Sequence, residues 1–202
     1  MTRLLLASGN PRKLDELRRL LGQAGLPLEV VGLCDVPDYP EPAETGATFE
    51  ENALIKARAG YAATGLATLA DDSGLEVDVL NQMPGVRSAR WAGPGARDHD
   101  NLALLLRQLS DVEPAQRRAR FVCAAAYLDP NGREQVLRRT MEGMLVGEPR
   151  GTNGFGYDPA FVADGQDRTN GELSAADKDV ISHRGQAIRA LLPLLGDLVG
   201  RR

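Results

Sequence analysis

Leu66-Ala67-Thr68-Leu69-Ala70-Asp71-Asp72-Ser73-Gly74-Leu75-Glu76-Val77-Asp78-Val79 is the stretch on which the fold turns. Leu66 to Ala70 is a short apolar run of strand length, and Leu75 to Val79 alternates apolar and acidic residues at the strand period. Between them, Asp71-Asp72-Ser73-Gly74 consists of turn formers, so the expectation is two strands flanking a doubly acidic turn. Upstream, Arg3 to Ala7 reads as a buried strand. Ser8-Gly9-Asn10-Pro11 interrupts it, and Lys13 to Leu21 then places Leu14, Leu17, Leu20 and Leu21 at helical spacing. Pro37, Pro40 and Pro42 make Cys34 to Gly46 an exposed loop. Thr48 and Glu51 have capping-box spacing and open a helix over Glu50 to Ala63.

Downstream, Asp98 to Leu109 repeats the amphipathic pattern with Leu102, Leu105, Leu106 and Leu109. Ala119 to Leu128 and Glu134 to Val146, joined by Asp129-Pro130-Asn131-Gly132, predict an antiparallel hairpin. Ser174 with Asp177 opens a helix, Ser182 opens another, and Ile188, Leu191, Leu192 and Leu195 stripe the last one. Early alternation of strands and helices with a hairpin in the middle predicts an α/β fold, a mixed β-sheet with flanking helices. No repeat or linker divides the chain, so residues 1–202 are expected to form one domain.

The composition, 43% hydrophobic and 26% charged over 202 residues, argues against disorder and fibrous classes. With 24 Lys and Arg against 28 Asp and Glu, the net charge is -4, which disfavours nonspecific nucleic-acid binding. Cys34 and Cys123 have no CxxC spacing, so neither a disulfide framework nor a zinc knuckle is indicated, and the cytoplasm is the default compartment. No stretch approaches the roughly 18 apolar residues of a membrane helix, and the Leu4-Leu5-Leu6-Ala7 run is too short for a signal-peptide core. The chain reads as soluble and unprocessed.

Four places could carry chemistry. Ser8 to Lys13 joins a strand to a helix start, where amides and the helix dipole favour a phosphate; an ordinary turn with a solvated Lys13 is the alternative. Asp71 and Asp72 could bind a hard cation, or they could simply make an Asx-type turn. With only His99 and His183 in the chain, a catalytic metal would rest on carboxylates and be Mg²⁺ or Mn²⁺ rather than zinc. Gly151-Thr152-Asn153-Gly154-Phe155-Gly156-Tyr157-Asp158-Pro159 presents two aromatic rings from a glycine-rich loop, as a stacking platform or as core filler. Lys178, His183 and Arg184 could meet at one ligand if the helix bends near Ser182; a solvated helical face is the alternative.

Together these pieces resemble the inosine triphosphate pyrophosphatase family, the XTP/dITP diphosphatases. Five blocks carry the likeness in order: Ser8-Gly9-Asn10 with Lys13; Glu44-Thr45-Gly46 into Thr48-Phe49-Glu50-Glu51-Asn52-Ala53 and Lys56; Asp71-Asp72-Ser73-Gly74; Gly154-Phe155-Gly156-Tyr157-Asp158-Pro159; and Ile181-Ser182-His183-Arg184-Gly185. The resemblance implies an elongated sheet with two lobes around a nucleotide cleft, a homodimer, and Mg²⁺-dependent hydrolysis of ITP, dITP and XTP to monophosphate and pyrophosphate in preference to GTP; the donor-only Lys178 and Arg184 suit the oxygen at position 6 of those bases, so ATP is expected to be rejected. It assigns Ser8, Gly9, Asn10, Pro11, Arg12 and Lys13 to the triphosphate, with Lys56 a further phosphate contact. Asp72 becomes the proton acceptor and a metal ligand, Glu44 a second ligand and Ser73 a substrate contact. Phe155, Gly156, Tyr157, Asp158, Lys178, His183 and Arg184 become base and nucleotide contacts. Two departures stand out: Ala43-Glu44 where many bacterial relatives have two glutamates, and Thr169-Asn170-Gly171-Glu172-Leu173 before the last block. A Maf-type pyrophosphatase, suggested by Leu6-Ala7-Ser8 and Pro11-Arg12-Lys13, is the enzymatic alternative, and a nucleotide-binding regulator without turnover is the other.

Overall fold

The computed structural model describes residues 2–200. Seven strands form one mixed sheet, in the order β2-β1-β3-β5-β6-β7 with β4 paired to β3. They are β1 Thr2–Leu6, β2 Leu28–Val31, β3 Ala67–Val77, β4 Met83–Pro84, β5 Arg118–Leu128, β6 Glu134–Leu145 and β7 Phe161–Ala163. β1 runs parallel to β2 and β3, whereas β4 pairs antiparallel with β3 and β7 with β6. β5 and β6 are neighbours joined by residues 129–133, too short for a crossover, as the hairpin reading requires. The helices are α1 Pro11–Gln23, α2 Phe49–Thr64, α3 Asp98–Gln108, α4 Ala175–Ile181 and α5 His183–Gly200. Thr48 and Glu51 close the expected capping box on α2, and Ser174 caps α4 through the Asp177 amide.

The expected turn at Asp71 to Gly74 is not there. β3 runs unbroken through all four residues. Turn propensity is a local preference, and here it is overridden: both carboxylates are buried against cations that arrive from helices distant in sequence.

The chain divides into two compact units, with the boundary in β3 after Asp72. The first comprises Met1–Asp72, Cys123–Arg139 and Arg184–Arg202. Its core joins Leu4, Leu6, Leu69, Cys123 and Ala125 of the sheet to Leu17, Leu20 and Leu21 of α1 and Ile188, Leu191 and Leu195 of α5. On the other face Gly60 of α2 lies so close to Leu5, Ala7 and Thr68 that an added Cβ would fall 3.0 to 3.1 Å from each, which brings the helix tight onto the strands. The second unit, Ser73–Val122 and Thr140–His183, packs Leu75, Val77, Phe121 and Phe161 against Leu102 and Leu105 of α3 and Leu109 at its C-cap.

Candidate active site

Successive side chains on a strand point to opposite faces, and in the first unit this separates the two aspartates. Asp71 shares the face of Leu69 and meets α1 and α5. Its Oδ2 lies 2.8 Å from Lys13 Nζ and 3.1 Å from Arg184 Nε, and Arg184 Nη1 continues to Glu16 Oε2 at 2.7 Å. All of Asp71, Glu16 and Arg184 are buried. Burial alone would raise the Asp71 carboxyl, but Lys13, Arg184 and Lys56 outweigh it and hold it far below the usual carboxylate range. Burial would likewise discharge Arg184, and Glu16 and Asp71 reverse that.

Asp72 faces α2. Its Oδ1 lies 3.2 Å from Lys56 Nζ, and its Oδ2 accepts a hydrogen bond from Asn52 Nδ2 at 3.1 Å. Asn52 and Lys56 stand one helical turn apart, so both side chains reach the same spot. The Asn52 carbonyl oxygen accepts the Gly46 amide at 2.8 Å, which turns its NH₂ group toward Asp72 and ties the 36–47 loop to the site. Lys56 also reaches Glu44 Oε1 at 2.7 Å. The Asp72 carboxyl is pushed upward, first by burial and then by Glu44, with Lys56 and Asn52 only partly opposing. Lys56 is held charged: burial would lower its pKa, but Asp72, Asp71 and Glu44 prevail.

Glu44 and Asp72 thus already bracket one cation, the Lys56 ammonium, with hard oxygen donors of the kind Mg²⁺ takes. Among the described residues no group of three His, Cys, Asp or Glu side chains is arranged to hold a metal unaided. Two carboxylates with the rest of the shell supplied by phosphate and water is the usual Mg²⁺ arrangement, so the residues fit.

Ser8-Gly9-Asn10 leads from β1 into α1. Asn10 is the N-cap, its Oδ1 accepting the Arg12 amide at 3.0 Å, and Ser8 Oγ accepts the Asn10 amide at 3.3 Å. Pro11 is the first helical residue; it and Arg12 are exposed, and Lys13 turns inward to Asp71.

In the second unit, Ser73 is half-buried on β3. Gly154 and Gly156 flank Phe155 with φ of +74° and +61°, a conformation that suits glycine. Asp158 Oδ2 accepts the Phe155 amide at 2.8 Å and pairs with Lys178, whose ammonium lies 5.1 Å from the Phe155 ring centroid. The Gly156 amide donates to Asp98 Oδ2 at 2.9 Å. Of the two rings of the glycine-rich loop only Phe155 is partly exposed. Tyr157 is core: it is buried, and its hydroxyl donates to the Ser88 carbonyl at 2.8 Å. His183 is buried and stacks on Phe121 at 5.0 Å between centroids. The helical pattern does break at Ser182, between α4 and α5, so that Lys178 and His183 fall in the second unit and Arg184 in the first.

Sequence reasoning passed over Asn52, Glu16 and Asp98 as members of these clusters. Asn52 was detectable as a polar residue four before Lys56, and Glu16 as the i+3 neighbour of Lys13. Asp98 carried no such signal, because its partner is a backbone amide 58 residues away.

The first unit thus brings together a capped strand-to-helix loop, the kind of backbone that favours an anion, and a buried carboxylate held between Lys and Asn. The chain belongs to the Ham1 family, whose model matches residues 4–194. A protein named dITP/XTP pyrophosphatase from Cutibacterium acnes is 57% identical over the full length of both chains. The crystal structure of a dITP/XTP pyrophosphatase from Mycobacterium abscessus is 54% identical, with a TM-score of 0.76 over 96% of this chain and 100% of that one. A HAM1 protein from Coxiella burnetii superposes with a TM-score of 0.87 at 41% identity, over 98% of this chain and 100% of that one.

Proposed function

We propose that this protein hydrolyses non-canonical purine nucleoside triphosphates, ITP, dITP and XTP, to the monophosphate and pyrophosphate, with Mg²⁺ or Mn²⁺ as cofactor. The observation that carries the reading is the environment of Asp72: a buried carboxylate with its pKa raised, its oxygens held by Lys56 and Asn52, on a strand whose preceding carboxylate is locked as an anion. The names of the relatives support the same activity.

Water attacks the α-phosphorus, the bond from that phosphorus to the bridging oxygen breaks, and Asp72 takes the proton the water loses. Asn52 and Lys56 fix the plane of the Asp72 carboxylate, so that one lone pair is aimed rather than averaged. Ser8 to Arg12 offer the loop and the helix N-terminus to the triphosphate, and Lys13, held by Asp71, presents a fixed positive charge. Asp72 and Glu44 would hold the Mg²⁺, which when bound neutralises phosphate charge. Ser73 is a further substrate contact. Glu44 already lies on Lys56, so the same two carboxylates that would hold the metal also hold this ammonium.

The base falls to the second unit's residues, with Phe155 as its stacking partner and Gly156 to Asp158 shaping the loop. Lys178 can only donate hydrogen bonds, and a protonated His183 would do the same, whereas Arg184 lies in the first unit with Asp71 and Glu16. Hypoxanthine and xanthine offer an acceptor oxygen at position 6, where adenine offers a donor, so ATP leaves donors facing donors. Residues 1–202 act as a single two-lobed domain, working as a homodimer in the cytoplasm.

Pyrophosphate release measured with ITP, dITP, XTP and ATP, with Mg²⁺ and with excess EDTA, tests all of this together. The expected result is turnover of the first three only, abolished by EDTA. Comparable kcat/KM for ATP and ITP would overturn the base assignment, and full activity in EDTA the metal.

A further inference from the structure

The Thr169 to Leu173 segment folds directly onto the Phe155 loop. Thr169 Oγ1 donates to the Arg150 carbonyl at 2.7 Å, Asn153 donates to the carbonyl of Gly171, and a Cβ on Gly151 would strike the Gly171 carbonyl at 2.1 Å. Asn170 is fully buried within this contact, and its Nδ2 donates to Asp158 Oδ1 at 3.2 Å. Its own Oδ1 is buried and meets no hydrogen-bond donor among the described residues. An unsatisfied buried carbonyl carries a free-energy cost and calls for a reason. The reason here is direction: only the NH₂ end can face a carboxylate, and turning the amide over would set oxygen against oxygen.

Phe155 stands between two glycines and has no backbone stiffness of its own. Its place is set by tethers, the Phe155 amide on Asp158 and the Gly156 amide on Asp98. Asp158 is itself 2% exposed and spends Oδ2 on Phe155 and Lys178, leaving Oδ1 to Asn170. With Oδ1 released, the carboxylate can rotate away from both groups at once.

We infer that Asn170 is a positioning residue for base recognition, fixing the Asp158 carboxylate so that Phe155 and Lys178 are presented together. The inference rests on the assignment of Phe155 and Lys178 to the base. KM and kcat for ITP, and the Ki of inorganic tripolyphosphate as a base-free competitor, are measured for the wild type, Asn170→Ala, Asn170→Asp, Asn170→Ser and Phe155→Ala. Loss of a hydrogen bond to a charged group predicts KM up about tenfold in Asn170→Ala, with kcat changed less than about twofold. The isosteric Asn170→Asp turns the donor into a repelling acceptor and raises KM further, Asn170→Ser retains a donor and most of the affinity, and tripolyphosphate binds all variants alike. If Phe155→Ala raises KM and the three Asn170 variants do not, the role of Asn170 is overturned alone. An unchanged KM in Phe155→Ala overturns the base assignment beneath it. KM and tripolyphosphate Ki rising together, or effects that follow melting temperature rather than donor capacity, would reduce Asn170 to a structural residue; if Asn170→Ala fails to fold, the Asp and Ser variants decide.

Discussion

The two faces of β3 at residues 71 and 72 carry the same side chain to opposite ends. Asp71 meets Lys13 and Arg184, two cations from two helices, and is locked as an anion. Asp72 meets one cation that it shares with Glu44, and burial moves it toward protonation. A carboxylate stabilised only as an anion is a poor proton acceptor, whereas one raised toward the working pH accepts readily. On the proposed function the difference makes Asp71 a structural anchor and Asp72 the candidate base, and it arises from which helix each face meets.

The largest expected effect breaks the base. Asp72→Asn should lower kcat by about two orders of magnitude or more while thermal unfolding stays cooperative, since the amide is nearly isosteric; near-wild-type turnover would remove Asp72 from its role. The counterpart, Asp71→Asn, should act on folding. It removes one of the carboxylates that Arg184 meets and the one that Lys13 meets, for a loss of about 3–5 kcal/mol of the kind seen when one partner of a buried pair is removed. Denaturant titration measures it, and a loss below about 1 kcal/mol, the surface-pair range, would mean that the anchor is solvated.

The pH dependences have opposite signs. Asp71 has a folded pKa below its unfolded value of about 3.9, so its contribution to stability is present above that value and is lost as pH falls through the folded pKa. The stability difference between wild type and Asp71→Asn should therefore shrink in acid. Asp72 has its folded pKa raised, so its contribution to stability fades as pH rises through that value, while the ionised form needed for catalysis appears over the same range. In the metal-free protein the Asp72 carboxyl should titrate above the ordinary Asp value of about 3.9, followed by its carboxyl chemical shift with Asp72→Asn as the blank; titration at or below it would contradict the raised pKa.

Lys13→Ala probes the link between the anchor and the phosphate loop. It should lower kcat/KM for ITP by roughly tenfold, the loss of one charge-assisted contact, and destabilise less than Asp71→Asn because Arg184 keeps Asp71 paired. An unchanged kcat/KM would take Lys13 off the phosphates. The smallest effect belongs to the exposed Arg58 and Glu134 pair, 2.6 Å apart, where Glu134→Gln should cost no more than about 1 kcal/mol. A larger loss there would show that the contrast between buried and exposed pairs is overstated.

Much of this molecule was legible in the residues themselves. The capping box at Thr48 and Glu51, the 119–146 hairpin and the leucine stripe of the last helix are local patterns, and each lies where its period or turn chemistry puts it. The five motif blocks likewise led to the family, because motif order is a property of the chain alone. The misreading at Asp71 to Gly74 marks the limit. Four turn formers in a row continue a strand because Lys13, Lys56 and Arg184 come from positions 58, 16 and 113 residues away. Tyr157 looked like half of a stacking platform until its hydroxyl was seen to reach Ser88, 69 residues distant. Sequence by itself determined the helix caps, the hairpin, the leucine stripes and the inventory of charged side chains. Only the tertiary structure decided which aspartate meets which cations, and so which carboxyl is held ionised and which is raised, because a pKa depends on burial and on charges within a few ångströms rather than on neighbours along the chain.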